Sequence, residues 1–538
     1  MSMAQTDRLS PPRRRMRRAA LVAPVLILAV VASGCGMTSN DDGGSGDSGG
    51  GLTKITVGLS EEPRSLASWN AYSNDGHPVL RNVEEALLNR DPQTNKLVGE
   101  LATEWKQQAD PKTWRFTLRQ GVTFHDGSPF NAEAAAYSLN WVLSKANAFP
   151  MRTFLGPEVN ATVVDEYTLD VTSETPDPIL PTRLYFVTIP SMKALKEKPN
   201  EWESHPIGTG PYKFVAWNRG RDIQLTANDQ WWGRKEAAAA HGTNDKIKDV
   251  TYVFRPETEV RASMVKTGEA QFVRWLTESQ CADAPKCEKG VGVETVILRL
   301  DTPNLALKDP RVREAIALSF DKSQIIDNIM GGGELAAQIV GPSALGFNKT
   351  LQPYPYDQAK AKQLIADAKA DGVPVDAPLI VSAREGFILR ADESIQLIAQ
   401  ALTAIGLTNV KSEMRETAKF EQAWTAGYQA ITPDRGLIGL QQHGNELMDY
   451  SSSIEGYYAC KGATSAYCDP ELEKLTAAAN QLAGTERDTA LQNIAKFVYD
   501  RYITVPIGQP NFYFGLANGI DWKPRLDGFL LIKEMKVS

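Results

Sequence analysis

The chain has 538 residues, of which 23% are charged, and its formal net charge is −7 at pH 7. Residues 1–34 carry six arginines and one aspartate, so the chain that follows them has a net charge of about −12. An acidic body of this kind argues against nucleic acid and against an anionic lipid surface as its partner.

The N-terminus has the pattern of a secretory signal peptide. A basic block (Arg13–Arg18) is followed by an apolar run (Ala19–Ala32) and then by small residues, and this order is typical of an exported chain. The run is shorter than the roughly 20 apolar residues of a membrane-spanning helix. We therefore predict a signal peptide over residues 1–34; an uncleaved N-terminal membrane anchor is the alternative.

A cysteine directly follows the small residues. The segment Ala32–Cys35 resembles the bacterial lipobox, in which the chain is cut before a cysteine that carries lipid. The resemblance implies a palmitate-bearing lipoprotein anchored through Cys35 on the outer face of the cell membrane, extracellular or periplasmic. The arginines also allow the twin-arginine export route, but Met16–Arg18 lacks its apolar pair, so the general secretory route is favoured.

Residues 35–51 are rich in glycine, serine and aspartate. Such a composition behaves as a flexible coil and cannot bury apolar surface. We predict a tether over 35–51 and a folded body from Leu52.

Four further cysteines fall into two local pairs, Cys281 with Cys287 and Cys460 with Cys468. An even number of cysteines in an exported protein suggests disulfides. Zinc is the alternative, but no C-x-x-C motif or nearby histidine supports it.

The body from Leu52 onward is too long for a single core and predicts two or three domains. Strands and helices alternate along it, which predicts an α/β fold with mixed sheets. The clearest predicted strands and helices are Lys54–Leu59 and Trp114–Leu118 as strands, with Asn131–Ala146, a helix opened by Asp309 and Pro310, and Asp357–Ala370 as helices.

Several motifs in order resemble one family. They closely resemble the dipeptide, oligopeptide and nickel class of extracellular solute-binding proteins that serve ABC importers. The matching segments are Leu101–Glu133, His205–Phe214, Leu225–Trp232, Met264–Glu269, Asp309–Asp321, Tyr356–Ala368 and Leu472–Pro506.

The resemblance implies a periplasmic-binding-protein-like fold, α/β with two lobes of mixed sheets joined by a two-segment hinge. A subdomain is then inserted in lobe one. The implied boundaries are 52–300 for lobe one with its insert at 91–204, 301–507 for lobe two, 508–538 for the return to lobe one, and hinges at Leu298–Asn304 and Thr504–Pro510.

The resemblance also implies a function. A monomer would capture a peptide or other small organic solute and deliver it to ABC permease subunits with cytoplasmic ATPases. The alternative is a lipoprotein of the same fold that does not transport, and instead acts as a sensor or an envelope assembly factor.

Two departures bear on the solute. Peptide binders of this class carry G-W-x-x-D-Y-x-D-P in lobe two, where an aspartate meets the peptide amine, but this chain reads ITPDRGLIGLQQHGNELMDYSSS over 431–453. The family's P-x-S/T-L-D-P is PRSLASW here, without the aspartate. Since a buried amine needs an acid partner, a modified or aromatic peptide, an opine, a sugar or a small amide also stays open.

Candidate ligand-binding residues follow from their location relative to these motifs. The tryptophans have core packing as their alternative, Asp434 with Arg435 a surface salt bridge, and His443 an exposed loop. The candidates are Ser60, Glu61 and Trp69 after the first strand, Trp424, Asp434, Arg435 and His443 in lobe two, and Tyr513 after the return hinge.

Enzymatic motifs are weak. Ser263–Lys266 is an S-x-x-K and Lys266–Gly268 a K-T-G, but the two share Lys266, whereas penicillin-recognising enzymes use separate lysines. The five histidines have no metal-ligand spacing. We therefore predict a binding protein without catalytic residues, metal or cofactor.

Overall fold

A computed structural model describes residues 52–67, 76–144, 156, 158–235 and 246–538. The predicted signal peptide, Cys35, the tether and Trp69 lie outside these described residues. Within the described part, no helix combines the length and the apolar character needed to cross a membrane.

The described residues form strands and helices in alternation. The strands are β1 (Lys54–Leu59), β2 (Leu88–Arg90), β3 (Leu97–Gly99), β4 (Ala102–Gln107), β5 (Thr113–Leu118), β6 (Val159–Asp165), β7 (Thr168–Ser173), β8 (Tyr212–Asn218), β9 (Asp222–Ala227), β10 (Asp249–Phe254), β11 (Phe272–Leu276), β12 (Lys286–Val291), β13 (Glu294–Leu300), β14 (Gly333–Leu335), β15 (Leu379–Arg384), β16 (Val410–Arg415), β17 (Leu437–Gly444), β18 (Thr504–Leu516), β19 (Ile520–Asp521) and β20 (Lys536–Val537).

Along the chain, the helices mostly alternate with the strands. They are α1 (His77–Leu80), α2 (Ala132–Leu143), α3 (Leu180–Leu184), α4 (Met192–Glu197), α5 (Thr258–Thr267), α6 (Glu278–Ala282), α7 (Pro310–Leu318), α8 (Gln358–Ala370), α9 (Ala391–Ala404), α10 (Thr417–Trp424), α11 (Tyr450–Tyr457), α12 (Pro470–Ala479) and α13 (Gly484–Asp500), with a π-helical segment at Gln324–Ile329 and 3-10 turns at Tyr428–Ala430 and Ile532–Glu534.

Twelve strands form one sheet in the order β16-β15-β17-β13-β18-β11-β1-β10-β9-β8, with β12 and β14 also paired to β18. Strand β1 is parallel to β10 and β11, and β15 is parallel to β16 and β17. The other pairs in this sheet are antiparallel. The predicted α/β class with mixed sheets is confirmed.

Strand β18 links two parts of this sheet. Its first half pairs with β13, where Thr504 lies opposite Arg299. Its second half pairs with β12, where Asn511 lies opposite Val291. One continuous strand therefore runs through both parts, while the lobe and hinge boundaries given above stay predictions.

A separate four-stranded sheet, β4-β5-β7-β6, lies within the predicted insert. Its buried side chains, including Phe116 and Leu169, pack with Leu139 of α2. Asn131 caps α2 by accepting a hydrogen bond from Ala134 N, as its sequence predicts. The helix ends at Leu143, three residues before the predicted end.

Strand β13 is buried on both faces. Val296, Leu298 and Leu300 pack into the core that contains α7, α9 and β15, whereas Ile297 packs on the other face with α11 and α13. Burial on both faces explains its continuous apolar run. Each fully buried aliphatic side chain contributes about 1.5–3 kcal/mol, so the position of this strand is strongly determined.

Local signals predicted two further helices and both cysteine pairs. Asp309 caps α7 by accepting from Arg311 N, and Asp357 caps α8 by accepting from Lys360 N. Disulfide bonds join the expected partners, with Cα–Cα distances of 5.2 Å for Cys281–Cys287 and 4.3 Å for Cys460–Cys468.

Candidate functional site

The ends of β13 and β17 bring polar side chains together on one face of the large sheet. Thr295 lies opposite His443 in the antiparallel register, and Gln441 precedes His443 by two residues. Because side chains alternate along a strand, these three point to the same face. Asn445 and His443 both contact Ser453 Oγ, so Asn445 lies on that face too. We call Thr295, Gln441, His443 and Asn445 the polar row.

His443 packs against α11. Its Nε2 lies 2.8 Å from Ser453 Oγ, and its ring meets the Tyr457 ring edge-on at a centroid distance of 4.6 Å. Burial lowers the pKa of this imidazole to about 3, so the ring is neutral at physiological pH. The interpretation of His443 as an exposed loop residue is wrong, because the residue belongs to β17 and is half-buried.

The side-chain amide of Asn445 is held in one orientation. Its Nδ2 donates to Asp449 O at 3.0 Å, to Ser452 Oγ at 3.1 Å and to Ser453 Oγ at 2.7 Å. Since a carbonyl oxygen only accepts, Nδ2 must face Asp449. The amide oxygen therefore points away from these partners.

Three oxygens of the polar row lack a hydrogen-bond partner among the described residues: Thr295 Oγ1, Gln441 Oε1 and Asn445 Oδ1. The three residues are buried, with exposed fractions of 0%, 8% and 2%. Leaving such a group unpaired costs about 1–3 kcal/mol. Buried polar groups are normally satisfied by protein, water or ligand, so this row is a candidate contact surface.

Two carboxylates lie at the same strand ends. Glu294 lies opposite Gly444 in the register, so its side chain points to the face opposite Thr295. Burial, and then the neighbouring Glu446 carboxylate, raise the pKa of Glu294 to about 7, while Arg274 acts to lower it. Glu294 Oε2 has no hydrogen-bond partner in the described structure. The strand ends are therefore rich in acceptors on both faces.

Trp424, the last residue of α10, is a packing residue. It is 2% exposed, stacks on Phe420 at 5.4 Å, and has the Arg299 guanidinium 4.0 Å from its ring centroid. Gly439 of β17 lies directly beneath the ring, where a Cβ would come within 2.5 Å of it. Core packing, the alternative from sequence, describes this tryptophan.

Arg435 pairs with a buried carboxylate. Its Nε lies 2.6 Å from Asp301 Oδ2, and Arg299 Nη2 lies 3.4 Å from the other oxygen. Burial raises the pKa of Asp301, and the two guanidinium groups oppose this effect. Asp434 is exposed, and a hydrogen bond with the Thr432 side chain is the main cause of its lowered pKa. The alternative from sequence, a surface salt bridge between Asp434 and Arg435, is therefore wrong.

The remaining candidates lie on other parts of the fold. Ser60 is half-buried and Glu61 exposed just after β1, while Trp69 is outside the described residues. Tyr513 is buried in β18, and its hydroxyl donates to Gly331 O at 3.3 Å. The structure brings Trp424, Arg435 and His443 into one region of the sheet through the side chains described above. Their roles in ligand binding stay predictions.

Arg183 of the predicted insert, and Arg90 directly before the insert, also reach the segment after β17. Arg183 Nη2 lies 2.9 Å from Glu455 Oε2 of α11, and Arg90 Nη2 donates to Leu447 O at 3.0 Å. Asp177 Oδ2 holds the same Arg183 guanidinium at 2.8 Å. The segment that carries Asn445 and α11 is thereby attached to the predicted insert.

The sequence did not single out Thr295, Gln441 or Asn445. The only signal is that β17 passes from the apolar Leu437–Leu440 to the polar run Gln441–Asn445. No group of three or more His, Cys, Asp or Glu within the described ranges is arranged to hold a metal ion.

The chain belongs to the bacterial extracellular solute-binding proteins, family 5, because the "Middle" region of that family matches residues 96–453, more than half of the chain. This family consists of binding proteins and not enzymes, as the sequence predicts. The solved structures that this chain resembles confirm its predicted α/β, periplasmic-binding-protein-like fold.

Curated relatives are similar over different lengths. The glutathione-binding protein GsiB of Pectobacterium atrosepticum is 27% identical over 311 residues, which cover 56% of this chain and 59% of the relative. The chain thus spans about three fifths of the length of that relative. The probable di/tripeptide-binding protein 5 of Pseudomonas aeruginosa is 25% identical over 487 residues, which cover 84% of this chain and 87% of the relative.

A solved structure shows the same fold over most of the chain. The periplasmic binding protein DppA from Helicobacter pylori, in complex with the peptide STSA, superposes with a TM-score of 0.73 and 19% identity. The similarity covers 90% of this chain and 98% of that protein. At this level of sequence identity, the similarity establishes only that the two proteins share a fold.

Proposed function

We propose that the protein is the membrane-anchored, extracellular solute-binding component of an ABC importer. It captures a peptide or another small organic solute between two lobes and delivers it, as a monomer, to the permease. The observation that supports this most is the family match over residues 96–453, in a fold whose strand β18 pairs with β13 at one end and with β12 at the other.

The proposed solute is peptide-like. The curated relatives are named for glutathione and for di- and tripeptides, and the H. pylori structure holds a peptide. This chain lacks, over residues 431–453, the aspartate-containing motif of the family's peptide binders. Neutral acceptors of the polar row and the carboxylate of Glu294 stand at the ends of β13 and β17 instead. Amides and modified peptides fit such a surface as well as free peptides do.

The proposed working cycle is closure of lobe 52–300 on lobe 301–507 about the predicted hinges. A solute stabilises the closed form only through contacts that it does not make in the open form. Cys35 and the tether at 35–51 would keep this body at the outer membrane face while it moves.

The solute is tested with the purified full-length protein by thermal shift. The compounds are glutathione, other di- and tripeptides, opines, sugars and aromatic amides. A ligand at 100 times its Kd adds about 2.7 kcal/mol to the free energy of unfolding, and this should raise Tm by a few degrees. If none of these classes shifts Tm, the proposal of solute capture is wrong.

The anchor and the transport role need separate tests. Labelled palmitate should be incorporated into the wild-type protein and not into Cys35→Ser, with Cys460→Ser as a control that keeps the label. Uptake of the bound solute should fall in cells lacking the protein. Normal uptake together with normal binding would favour the non-transporting sensor or assembly role.

A further inference from the structure

The polar row contains three buried oxygens without a partner among the described residues: Thr295 Oγ1, Gln441 Oε1 and Asn445 Oδ1. We propose that they form an acceptor wall that binds an N–H donor of the solute, an amide or an ammonium group. This inference rests on the proposed solute-binding function and names the ligand chemistry of one part of its site.

The position of the wall suits a solute held between lobes. Thr295 is the second residue of β13. On the neighbouring strand β17, Gln441 lies three residues before the end, and Asn445 directly follows the strand. The neighbouring strand β18 leaves its pairing with β13 at Gly508 and begins its pairing with β12 at Asn511. The wall therefore lies where β18 passes from its pairing with β13 to its pairing with β12, beside the predicted hinge.

The chemistry of the wall favours a donor. Asn445 must present its oxygen, because its Nδ2 already donates to Asp449 O and to two serine hydroxyls. A threonine hydroxyl can accept a hydrogen bond, and an amide oxygen only accepts. The Glu294 carboxyl, on the opposite face of the same strand ends, adds further acceptor oxygens. Carboxylate or phosphate groups of a solute would be repelled there, whereas N–H groups would be stabilised.

The wall is also held rigidly in place. Ser453 Oγ contacts both His443 Nε2 and Asn445 Nδ2, and so ties the end of β17 to α11. Thr295 lies in a strand buried on both faces. A site that is ordered before binding loses less conformational entropy when the solute arrives.

The test uses conservative variants of full-length protein. Thr295→Val and Gln441→Met remove one oxygen each with little change in volume. The control is Ser382→Ala: Ser382 Oγ is equally buried and lacks a partner among the described residues. Ser382 lies on β15 opposite Gly439, the glycine beneath the Trp424 ring. Ser382 therefore shares a face with Gln441 but lies on the next strand, outside the polar row.

The probes are glutathione and trialanine amide as N–H donors, with citrate and sucrose as solutes without N–H groups, measured by calorimetry. Losing one hydrogen bond should raise Kd for the bound donor about 5- to 30-fold in Thr295→Val and Gln441→Met. Ser382→Ala should keep the wild-type Kd. Because the deleted oxygens have no protein partner, the Tm of the ligand-free variants should not fall.

Three outcomes separate this inference from the proposed function. Unchanged donor affinity in both wall variants overturns the acceptor wall and leaves solute binding intact. Binding of citrate or sucrose without binding of either N–H donor would also overturn the acceptor wall and leave solute binding intact. If the wild-type protein binds no probe and no other amide or amine, both the wall and the peptide-like solute are contradicted.

Discussion

Arg183 and Glu455 are 272 residues apart in the chain, yet Arg183 Nη2 lies 2.9 Å from Glu455 Oε2. The arginine side chain is 2% exposed and the glutamate side chain 39%. Asp177, itself almost fully buried, holds the other side of the same guanidinium. A single cation thus ties α3 of the predicted insert to α11, which supports the polar row.

Removing the cation should cost far more than removing its exposed partner. Arg183→Met leaves the Asp177 carboxylate buried without its cation, and we expect a loss of about 3–5 kcal/mol in the free energy of unfolding. Glu455→Gln should cost less than about 1 kcal/mol, because solvent screens an exposed carboxylate. Urea unfolding of both variants measures the difference, and equal losses would contradict the buried role of Asp177.

The buried carboxyl of Glu84 should make stability fall as pH rises. Burial raises its pKa to about 8, despite the hydrogen bond from Thr188 and the nearby Arg81, whereas an unfolded glutamate titrates near 4.3. The folded state retains the proton between these values, so its contribution is complete below about pH 4.3 and is lost as pH approaches 8. Glu84→Gln should flatten this slope.

The control for Glu84 is Glu104→Gln, at an exposed position of β4. Chemical unfolding between pH 5 and 8 gives the slopes. An unchanged slope in Glu84→Gln, or an equal change in Glu104→Gln, would rule out burial of Glu84 as the cause.

His125 should have the opposite effect at acid pH. Burial lowers its pKa to about 4, and its Nε2 lies 2.9 Å from Gly210 O. An unfolded histidine takes up a proton near pH 6.5, so stability is lost as pH falls from about 6.5 towards 4. His125→Gln should lose less stability than the wild type between pH 7 and 5, whereas His205→Gln, at an exposed position, should behave as wild type.

The Cys460–Cys468 disulfide should stabilise the fold modestly. It closes a loop with a sequence separation of only 8, and cross-links of that length contribute about 2–3 kcal/mol. The double variant Cys460→Ser/Cys468→Ser should therefore lose that amount in urea unfolding. A reductant should destabilise the wild type more than this variant; equal sensitivity would mean that the bond contributes nothing.

Gly439→Ala should destabilise the packing around Trp424. The added Cβ would lie 2.5 Å from the indole ring, and overpacking of this kind costs about 1–3 kcal/mol. Gly456→Ala, within α11, is the matched control, since its nearest neighbour is Thr464 Oγ1 at 3.7 Å. Alanine there should raise helix stability by up to about 1 kcal/mol. Thermal unfolding of both variants tests whether the Trp424 ring is held in place against Gly439.

Elements with strong local signals were predictable. Strand β1 and helices α2, α7 and α8 begin at or next to the expected residues, because alternation and capping side chains act over a few positions. The disulfide partners were predictable for the same reason, since each pair is close in the chain.

The candidate site was much less predictable. His443, Asp434 and Arg435 were candidate ligand-binding residues, and their alternatives were an exposed loop for His443 and a surface salt bridge between Asp434 and Arg435. Thr295 and Gln441 were not singled out. Each outcome depends on residues distant in sequence. The pairing of β17 with β13 places His443 in a strand and sets the register of the polar row, and Asp301 is the partner of Arg435.

By itself, the sequence determined the family and the α/β class, because motifs and the alternation of strands and helices can be read along the chain. It also determined the local helices and the disulfide partners, because the interactions that specify them act over short stretches of chain. Only the tertiary structure decided which polar oxygens remain without partners at the ends of β13 and β17. The physical reason is that hydrogen-bond satisfaction depends on strand register and on the helix packed over the sheet. A one-residue change of register would turn Thr295 and Gln441 to the opposite face.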